Sequence, residues 1–385
     1  MKKNLVIAWL VLSGLTLPAF AQRYTVFPQF ASGGGWSSEI FLANQGLSAV
    51  TGIVVSFYHG DGTPLTVNSN LGSSATLAVN LNPGATQAVQ ITPDSTTSTG
   101  YVVIHYPSSV APVTATEVFR YQTGDTVLAE VGVPQQSADN SFSFPVEVNS
   151  AAGVATSFAF ANPTLDSTTA AAETVIVTLI NPDGTIQRTA TLPLAAGQYL
   201  SEYVTQLFPG LDNFTGSLSV SSPTSMAVLA LRQDKQAFGA ISSDIGPLLG
   251  PFAVTGTAIA AAGNNTSFTS AQQLSSPALV AGFATSGGYA FFKFTGHQGD
   301  IVSAICDTQG LSSYLDSVLL IVKSDQQTVI AGNDENGLYS EHDSFAQVVL
   351  PADGTYYIAI YDYNGGGGAS YPYRLHFRLV SASTS

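Results

Sequence analysis

Two stretches share one rhythm: Val55-Ser56-Phe57-Tyr58-His59-Gly60-Asp61-Gly62-Thr63 and Val177-Thr178-Leu179-Ile180-Asn181-Pro182-Asp183-Gly184-Thr185. Each is a run of strand-forming residues that ends in Asp-Gly, a pair whose backbone tolerates the positive φ of a tight hairpin turn. Similar short runs, bounded by Gly, Pro, Asn and Asp, recur along the 385 residues. A helical period is nearly absent. Each strand of this kind makes one apolar sheet face, and that face must be covered by another layer. The pattern predicts an all-β fold of three consecutive β-sandwich domains. The single helical expectation is one or two turns within 198–207, where Leu200, Tyr203, Val204 and Leu207 follow a 3.6-residue period.

The first two sandwiches read as a repeat. Phe27-Pro28-Gln29-Phe30 answers Phe144-Pro145-Val146-Glu147, Ile40-Phe41-Leu42-Ala43-Asn44 answers Phe158-Ala159-Phe160-Ala161-Asn162, and the two Asp-Gly turns follow in register. The expected domains are 22–137 and 138–245, a linker over 246–263 marked by Gly246-Pro247 and Gly250-Pro251, and a last domain over 264–385. In the final strand Tyr371, Tyr373, Leu375, Phe377 and Leu379 share one side and Arg374, His376 and Arg378 the other, which predicts one buried face and one wet face.

The N-terminus carries Lys2 and Lys3, an apolar run from Leu5 to Leu17, and Ala19-Phe20-Ala21 before Gln22. This is the pattern of a secretory signal peptide over 1–21, and it predicts a secreted or periplasmic protein without a transmembrane segment after cleavage. Only 9% of residues are charged and the net charge is −14, a surface that repels nucleic acid and anionic lipid. Cys306 is the one cysteine, so no intramolecular disulfide forms; its alternating surroundings predict a buried, inert thiol.

Residues 311–362 hold the densest oxygen chemistry. Asp316, Asp334 and Asp343 each border strand-like runs, and Gly332-Asn333-Asp334-Glu335-Asn336-Gly337 forms an acidic loop between them. Carboxylates and amides in such a loop suit Ca²⁺, which takes six to eight oxygens; a solvated turn cluster is the plainer reading, and the EF-hand spacing is absent. The candidate ligands are Asp316, Asn333, Asp334, Glu335 and Asp343.

This region resembles the bacterial pre-peptidase C-terminal domain. The resemblance rests on Tyr289-Ala290-Phe291-Phe292-Lys293-Phe294 with Gly296 and Gly299, Leu315-Asp316-Ser317-Val318-Leu319, Asn333-Asp334-Glu335, Asp343-Ser344, Gly354-Thr355-Tyr356-Tyr357-Ile358 and Tyr373-Arg374-Leu375. It departs from the pattern at Gly287-Gly288-Tyr289, where the family carries an Asp, and at Glu335, where Asp is common. The resemblance implies a jelly-roll-like β-sandwich that serves exported enzymes as a non-catalytic appendage. The two earlier units resemble, more loosely, a β-module of bacterial exported proteins, through FPQFASGGGWSSEIFLANQ, the Asp-Gly-Thr turn and Glu130-Val131-Gly132-Val133-Pro134. That implies export and a β fold but no activity.

No HExxH, GxSxG or phosphate-binding glycine loop occurs, and Ser225-Met226-Ala227 reads as a turn entering a strand. His59, His105, His297, His342 and His376 lack zinc-ligand spacing. Glu39, Glu117, Glu130, Glu147, Glu173 and Glu202 are carboxylates that only the fold can pair for glycosidase chemistry. Binding is the better expectation. Trp36 follows Gly33-Gly34-Gly35, and Tyr361 and Tyr363 precede Asn364-Gly365-Gly366-Gly367-Gly368. Aromatics on such loops stack on sugars or anchor a protein contact; capping of the first sandwich is the alternative for Trp36. The sequence therefore predicts a secreted, non-catalytic binding or adhesion protein for a polysaccharide or extracellular protein surface, with calcium stiffening the last domain. A structural spacer and a hydrolase with a concealed carboxylate site are the alternatives.

Overall fold

The computed structural model describes residues 24–107, 112–136, 138–163, 172–235, 237–241, 244–246, 248–334 and 342–381. The expected signal peptide, and Glu335 in the acidic loop, lie outside the described residues. The architecture is all-β, multi-domain and sandwich-like.

The first pair of sheets is antiparallel throughout. One sheet runs Tyr24–Ser32, Ser98–His105, Val50–His59, Thr76–Leu81 in spatial order; the other runs Thr126–Pro134, Val113–Thr123, Trp36–Asn44, Thr86–Gln90. Between them lie Phe27, Phe30, Ile40, Leu42, Phe57 and Ile104, all shielded from solvent. The two Asp-Gly turns are built alike. Thr63 N and Thr185 N each donate to the aspartate two residues earlier (Asp61 and Asp183), at 2.9 and 3.0 Å, and Gly62 and Gly184 take φ of 83° and 84°.

An eight-stranded sheet follows, and its organiser is the 22-residue strand Asn213–Asp234. Its first half pairs with Asp139–Asn149 on one side and Glu173–Ile180 on the other. Its second half pairs with Val154–Ala161 and Ala237–Ile241. Pro223 sits where pairing lapses between Ser221 and Met226, because proline has no N–H for the ladder. The sheet curls about this point and encloses Phe142, Phe144, Phe158, Phe160, Val177 and Val228. Each half repeats a strand order of the first pair: Asp139–Asn149, Asn213 to Ser221, Glu173–Ile180, Ile186–Leu194 on one side, and Ala237–Ile241, Met226 to Asp234, Val154–Ala161, Tyr199–Tyr203 on the other. Ser225-Met226-Ala227 thus lies inside a strand rather than in a turn, with Met226 in the core. The helix occupies one turn only, Val204–Leu207, because Tyr199–Tyr203 is taken up by pairing with Val154–Ala161.

The last pair of sheets runs Ile259–Ala260, Ala278–Phe283, Pro372–Val380, Ile301–Asp307, Ser344–Val349 against Gln272–Gln273, Ala290–Gly296, Gly354–Asp362, Ser317–Val322, Val329–Asn333. Phe292, Phe294, Ile358, Leu375 and Phe377 fill it, with the Cys306 thiol buried among them and pushed to a raised pKa by burial. The final strand has the expected buried face, and the opposite face is only partly wet: Arg374 is exposed while the other two basic residues are covered. His376 Nδ1 accepts from Val254 N at 2.9 Å, Arg378 Nη2 donates to Ala253 O at 3.1 Å, and Phe252 packs on Ile305 and Phe345. The Gly-Pro stretch covers that face because its apolar residues need burial as much as the strand does.

Two seams join these units. In the first, Ala159 and Leu229 reach from the eight-stranded sheet into the core of the first pair, and Ala161 and Ala227 pack on Val26, Tyr101 and Val103. Tyr199 N donates to Gly60 O at 2.9 Å, and a Cβ on Gly62 would meet Gly197 O at 2.6 Å. In the second, Ser221 Oγ donates to Gln347 Oε1, and Gln347 Nε2 donates to Ser303 Oγ at 2.8 Å. Leu229 thus packs across a unit boundary although its strand belongs to the second unit. Leu229→Ala is expected to lower stability by about 2–5 kcal/mol, seen as a shifted denaturant midpoint; a change within experimental error would mean that the seam contributes nothing.

Candidate functional site

The site is built from the glycine run upward. Gly33, Gly34 and Gly35 take φ of 87°, 61° and 97°. Gly33 and Trp36 exchange backbone hydrogen bonds of 2.8 and 3.0 Å across this two-residue turn, the geometry that positive φ at both central residues allows. A Cβ on Gly33 would meet Thr96 O at 2.0 Å. The segment is therefore pinned, not loose, and Trp36 enters the strand Trp36–Asn44 opposite Tyr121. Its ring lies 4.8 Å from Tyr121 and 5.8 Å from Phe238, a residue of the neighbouring unit.

Between Trp36 and Phe238 the first seam opens into a cavity of about 250 Å³. Trp36, Phe119, Val131, Leu231 and Phe238 form its apolar side. Gln29, Thr99, Ser157, Ser201, Glu202, Tyr203 and Gln206 supply the polar side. The polar groups are held by second partners. Tyr203 Oη donates to Gln233 Oε1 at 2.5 Å, Gln206 Oε1 accepts from Tyr203 N at 2.7 Å, and Gln29 Oε1 accepts from Tyr199 Oη. With both amide oxygens engaged, the NH₂ groups of Gln29 and Gln206 are the donors these side chains offer a ligand. Glu202 is the one charged residue of the lining.

Glu117 is buried in the core two residues before Phe119, on the same strand face. It is fully buried and neither carboxyl oxygen has a hydrogen-bond partner, while the nearby Ser38 hydroxyl donates to Ala31 O at 2.9 Å. Burial raises its pKa well above the ordinary 4.5, offset in part by Ser38. The facing Tyr199 phenol is pushed up to about 12, chiefly by burial and additionally by the Glu117 carboxyl. The other candidate acids are scattered: Glu39 accepts from Gln90, Glu130 pairs with Arg120, Glu147 pairs with Arg232, and Glu173 accepts from Ser222 and Thr224. Of the six, Glu202 alone lines the cavity. Trp36 and Glu202 were visible in the sequence. Phe238 and Tyr203 were not, because nothing in their own strands marks them as neighbours of Trp36.

The described members of the expected calcium set each have protein partners. Asp316 Oδ2 accepts from Asn364 at 3.1 Å, and Asp316 Oδ1 lies 3.7 Å from His342. Asp343 Oδ1 accepts from Thr308 N, Thr308 Oγ1 and Gln309 N at 2.6 to 3.0 Å. Asn333 turns toward the second seam, where its Nδ2 donates to Asn140 at 3.3 Å and its Oδ1 is buried without a hydrogen-bond partner. Asp334 lies near enough to Tyr361 to raise that phenol, after burial and Tyr289. Among the described residues no group of three or more His, Cys, Asp or Glu side chains is placed to hold a metal. Asp362 stands beside Asp316 and the glycine tract. Its carboxylate accepts from Asp316 N at 2.9 Å and Gly366 N at 2.6 Å, which orders the glycine tract. Tyr361 packs on Tyr289 at 4.8 Å, whereas Tyr363 stands 52% exposed.

Comparison with known proteins gives weak likeness to part of the chain. The pre-peptidase C-terminal domain of a collagenase from Bacillus anthracis is 16% identical with a TM-score of 0.23, over 32% of this chain and 100% of that domain. The periplasmic inhibitors of g-type lysozyme from Salmonella Typhimurium and Aeromonas hydrophila are 15% and 18% identical, with TM-scores of 0.20 and 0.21 over 28% of this chain and 96% and 95% of theirs. No family model matches the chain, and no curated protein matches it significantly. Among the described residues no helix is long and apolar enough to cross a membrane.

The sign of the Glu117 effect follows from linkage. A carboxyl whose folded-state pKa is raised keeps a proton that the unfolded chain releases above about 4.5, so stability falls as pH rises from there toward the folded-state value. Glu117→Gln cannot ionise. Its melting temperature is expected to vary less between pH 5 and 8 than the parent's, with thermal melts across that range as the check; identical slopes would show that Glu117 is not held protonated.

Proposed function

We propose that this chain is an exported, non-catalytic binding protein that holds part of a polysaccharide or an extracellular protein in the cavity between its first two units. The observation that carries this reading is the corner formed by Trp36 and Phe238, two aromatic rings from different units that meet above fixed amide donors. Aromatic walls with a few oriented polar groups are the usual composition of a binding site. At most one acidic residue lines the cavity, which favours binding over glycoside hydrolysis, a reaction that needs two carboxyl groups. The matching strand orders support the view that these two units are duplicates that pack together to make the site. Export rests on the lysine-started, Ala19-Phe20-Ala21-ended leader.

The chain holds two tryptophans, Trp9 and Trp36, and export would remove the first. In protein beginning at Gln22, Trp36 is then the sole indole and reports on its own site. A glycan and matrix-protein array should yield a ligand that shifts Trp36 emission, and Trp36→Ala should weaken that ligand at least about tenfold, as loss of a central aromatic anchor does. Array binding that survives Trp36→Ala unchanged would move the site elsewhere. Silence of the parent on the array would favour a spacer role.

We also propose that calcium stabilises the last pair of sheets through Asp316, Asp334 and their neighbours. The support is local: burial raises the Asp316 carboxyl, and the Asp362 charge adds to it against the pull of His342. A divalent cation relieves that kind of crowding. Millimolar Ca²⁺ is expected to raise the melting temperature relative to chelator, and Asp334→Ala to remove the gain. Equal melting with calcium and with chelator would dismiss it.

A further inference from the structure

We propose that Glu117 is a pH-sensitive latch on the first seam: when it loses its proton, the Ser38 hydroxyl leaves Ala31 for the carboxylate, and the joint between the first two units loosens. Its position follows from the ladder. Glu117 lies opposite Val133 on one side and Ile40 on the other, and Ser38 with Phe119 is the next pair on that face. Val133, Ile40 and Phe119 share one apolar core with Ala159 and Leu229 of the second unit. No solvent reaches Glu117, and neither of its oxygens has a hydrogen-bond partner. The Ser38 hydroxyl donates to Ala31 O at 2.9 Å, which ties Trp36–Asn44 in one sheet to Tyr24–Ser32 in the other. Ala31, Trp36 and Phe119 all line the seam cavity.

A hydroxyl has one proton to donate, so Ser38 serves Ala31 or an ionised Glu117, not both. A bare carboxylate in an apolar core is costly, and it draws that proton away from the strand that carries Gln29 and Ala31. The other titratable groups around this core are phenols: Tyr106 and Tyr121 from the first unit, Tyr199 and Tyr203 from the second. Phenols ionise near pH 10, and burial raises Tyr106, Tyr199 and Tyr203 further. Glu39, Arg120 and Glu130 alternate to the opposite face, where Glu39 accepts from Gln90 and Arg120 pairs with Glu130. Burial holds the Glu117 carboxyl well above its ordinary 4.5, so the joint is tight at low pH and loosens as pH rises toward the folded-state value.

In protein beginning at Gln22, the Trp36 ring meets Phe238 across the seam at 5.8 Å and is the sole indole. Acrylamide quenching of its emission between about pH 5 and about pH 8 reads opening of the joint, with circular dichroism to show that the chain stays folded. The parent's quenching constant is expected to rise at least about twofold in one titration step, together with loss of a protonated-carboxyl infrared band. Glu117→Gln should hold the low-pH value and lose less of that band. Ser38→Ala should move the step to higher pH, because the group that offsets burial is gone. Glu173→Gln removes the other buried carboxyl that is raised, and should keep the step; it decides the case if Glu117→Gln does not fold. Flat quenching in the parent, a step that survives in Glu117→Gln, or a step lost in Glu173→Gln overturns the latch. A step unmoved in Ser38→Ala overturns the part given to Ser38. No ligand is needed, so the result stands apart from what the array shows.

Discussion

The molecule depends on one constraint: the strands around Asn213–Asp234 are buried on both faces. Inward they carry Phe158, Phe160, Val228 and Ala230; outward they carry Ala159, Ala161, Ala227 and Leu229. A sheet with one wet face would have Thr, Lys or Glu at those outward positions. Here the small residues let the outer face of one unit approach the other until backbone meets backbone, as at Gly60 with Tyr199 and Gly62 with Gly197. The first pair of sheets does not close its own core; Ala159 and Leu229 complete it. The units are therefore parts of a packed body along this seam and not beads on a string.

Burying so much sheet raises the question of where polar groups go, since each unpaired one costs about 1–3 kcal/mol. Along the second seam they form a chain from Ser221 through Gln347 to Ser303. Glu173 is half answered: one oxygen accepts from Ser222 and Thr224, while the other has no partner. Glu117 is the extreme, with two bare oxygens in an apolar core. Burial there disfavours the charged carboxylate, with Ser38 the nearest polar group to offset it. The effect of Glu117 reaches Tyr199, a residue of the joint between units.

The sequence made the strands and turns legible because period-two burial and Asp-Gly chemistry are local. Tyr373, Leu375 and Phe377 face inward as their alternation requires. What covers the other side is not local. Arg374, His376 and Arg378 read as a wet face, yet His376 and Arg378 bond to Val254 and Ala253, residues that look like linker. Where both faces are buried the alternation itself vanishes: Ser317–Val322 is buried at every position, and so nearly is Glu173–Ile180. The candidate site was legible by halves. The glycine run singled out Trp36, but its meeting with Phe238 follows from the packing of two units. In the acidic loop, spacing suggested convergence on a cation, and the described side chains Asp343 and Asn333 also serve turns and the seam, bonding to Thr308, Gln309 and Asn140. Short Asp and Asn side chains satisfy turns and seams as readily as they ligate, and spacing alone does not separate those uses.

Two twisted sheets laid face to face cannot stay in contact over their whole length, because each strand is rotated against the next. Contact is tight where Ala161 and Ala227 lie on Val26 and Val103, and it opens where Ser157 and Ser201 replace larger groups. The cavity is thus a consequence of the same seam that closes the first core. Bulk at Trp36 and Phe238 bridges the gap at its mouth without filling it. A site made this way inherits the rigidity of the joint: its amides are held by Tyr199 and Tyr203, which themselves lie in the strand that docks the two units. On the proposed reading, recognition and assembly would share one set of contacts, so a ligand that bridged both walls would add to the adhesion between units.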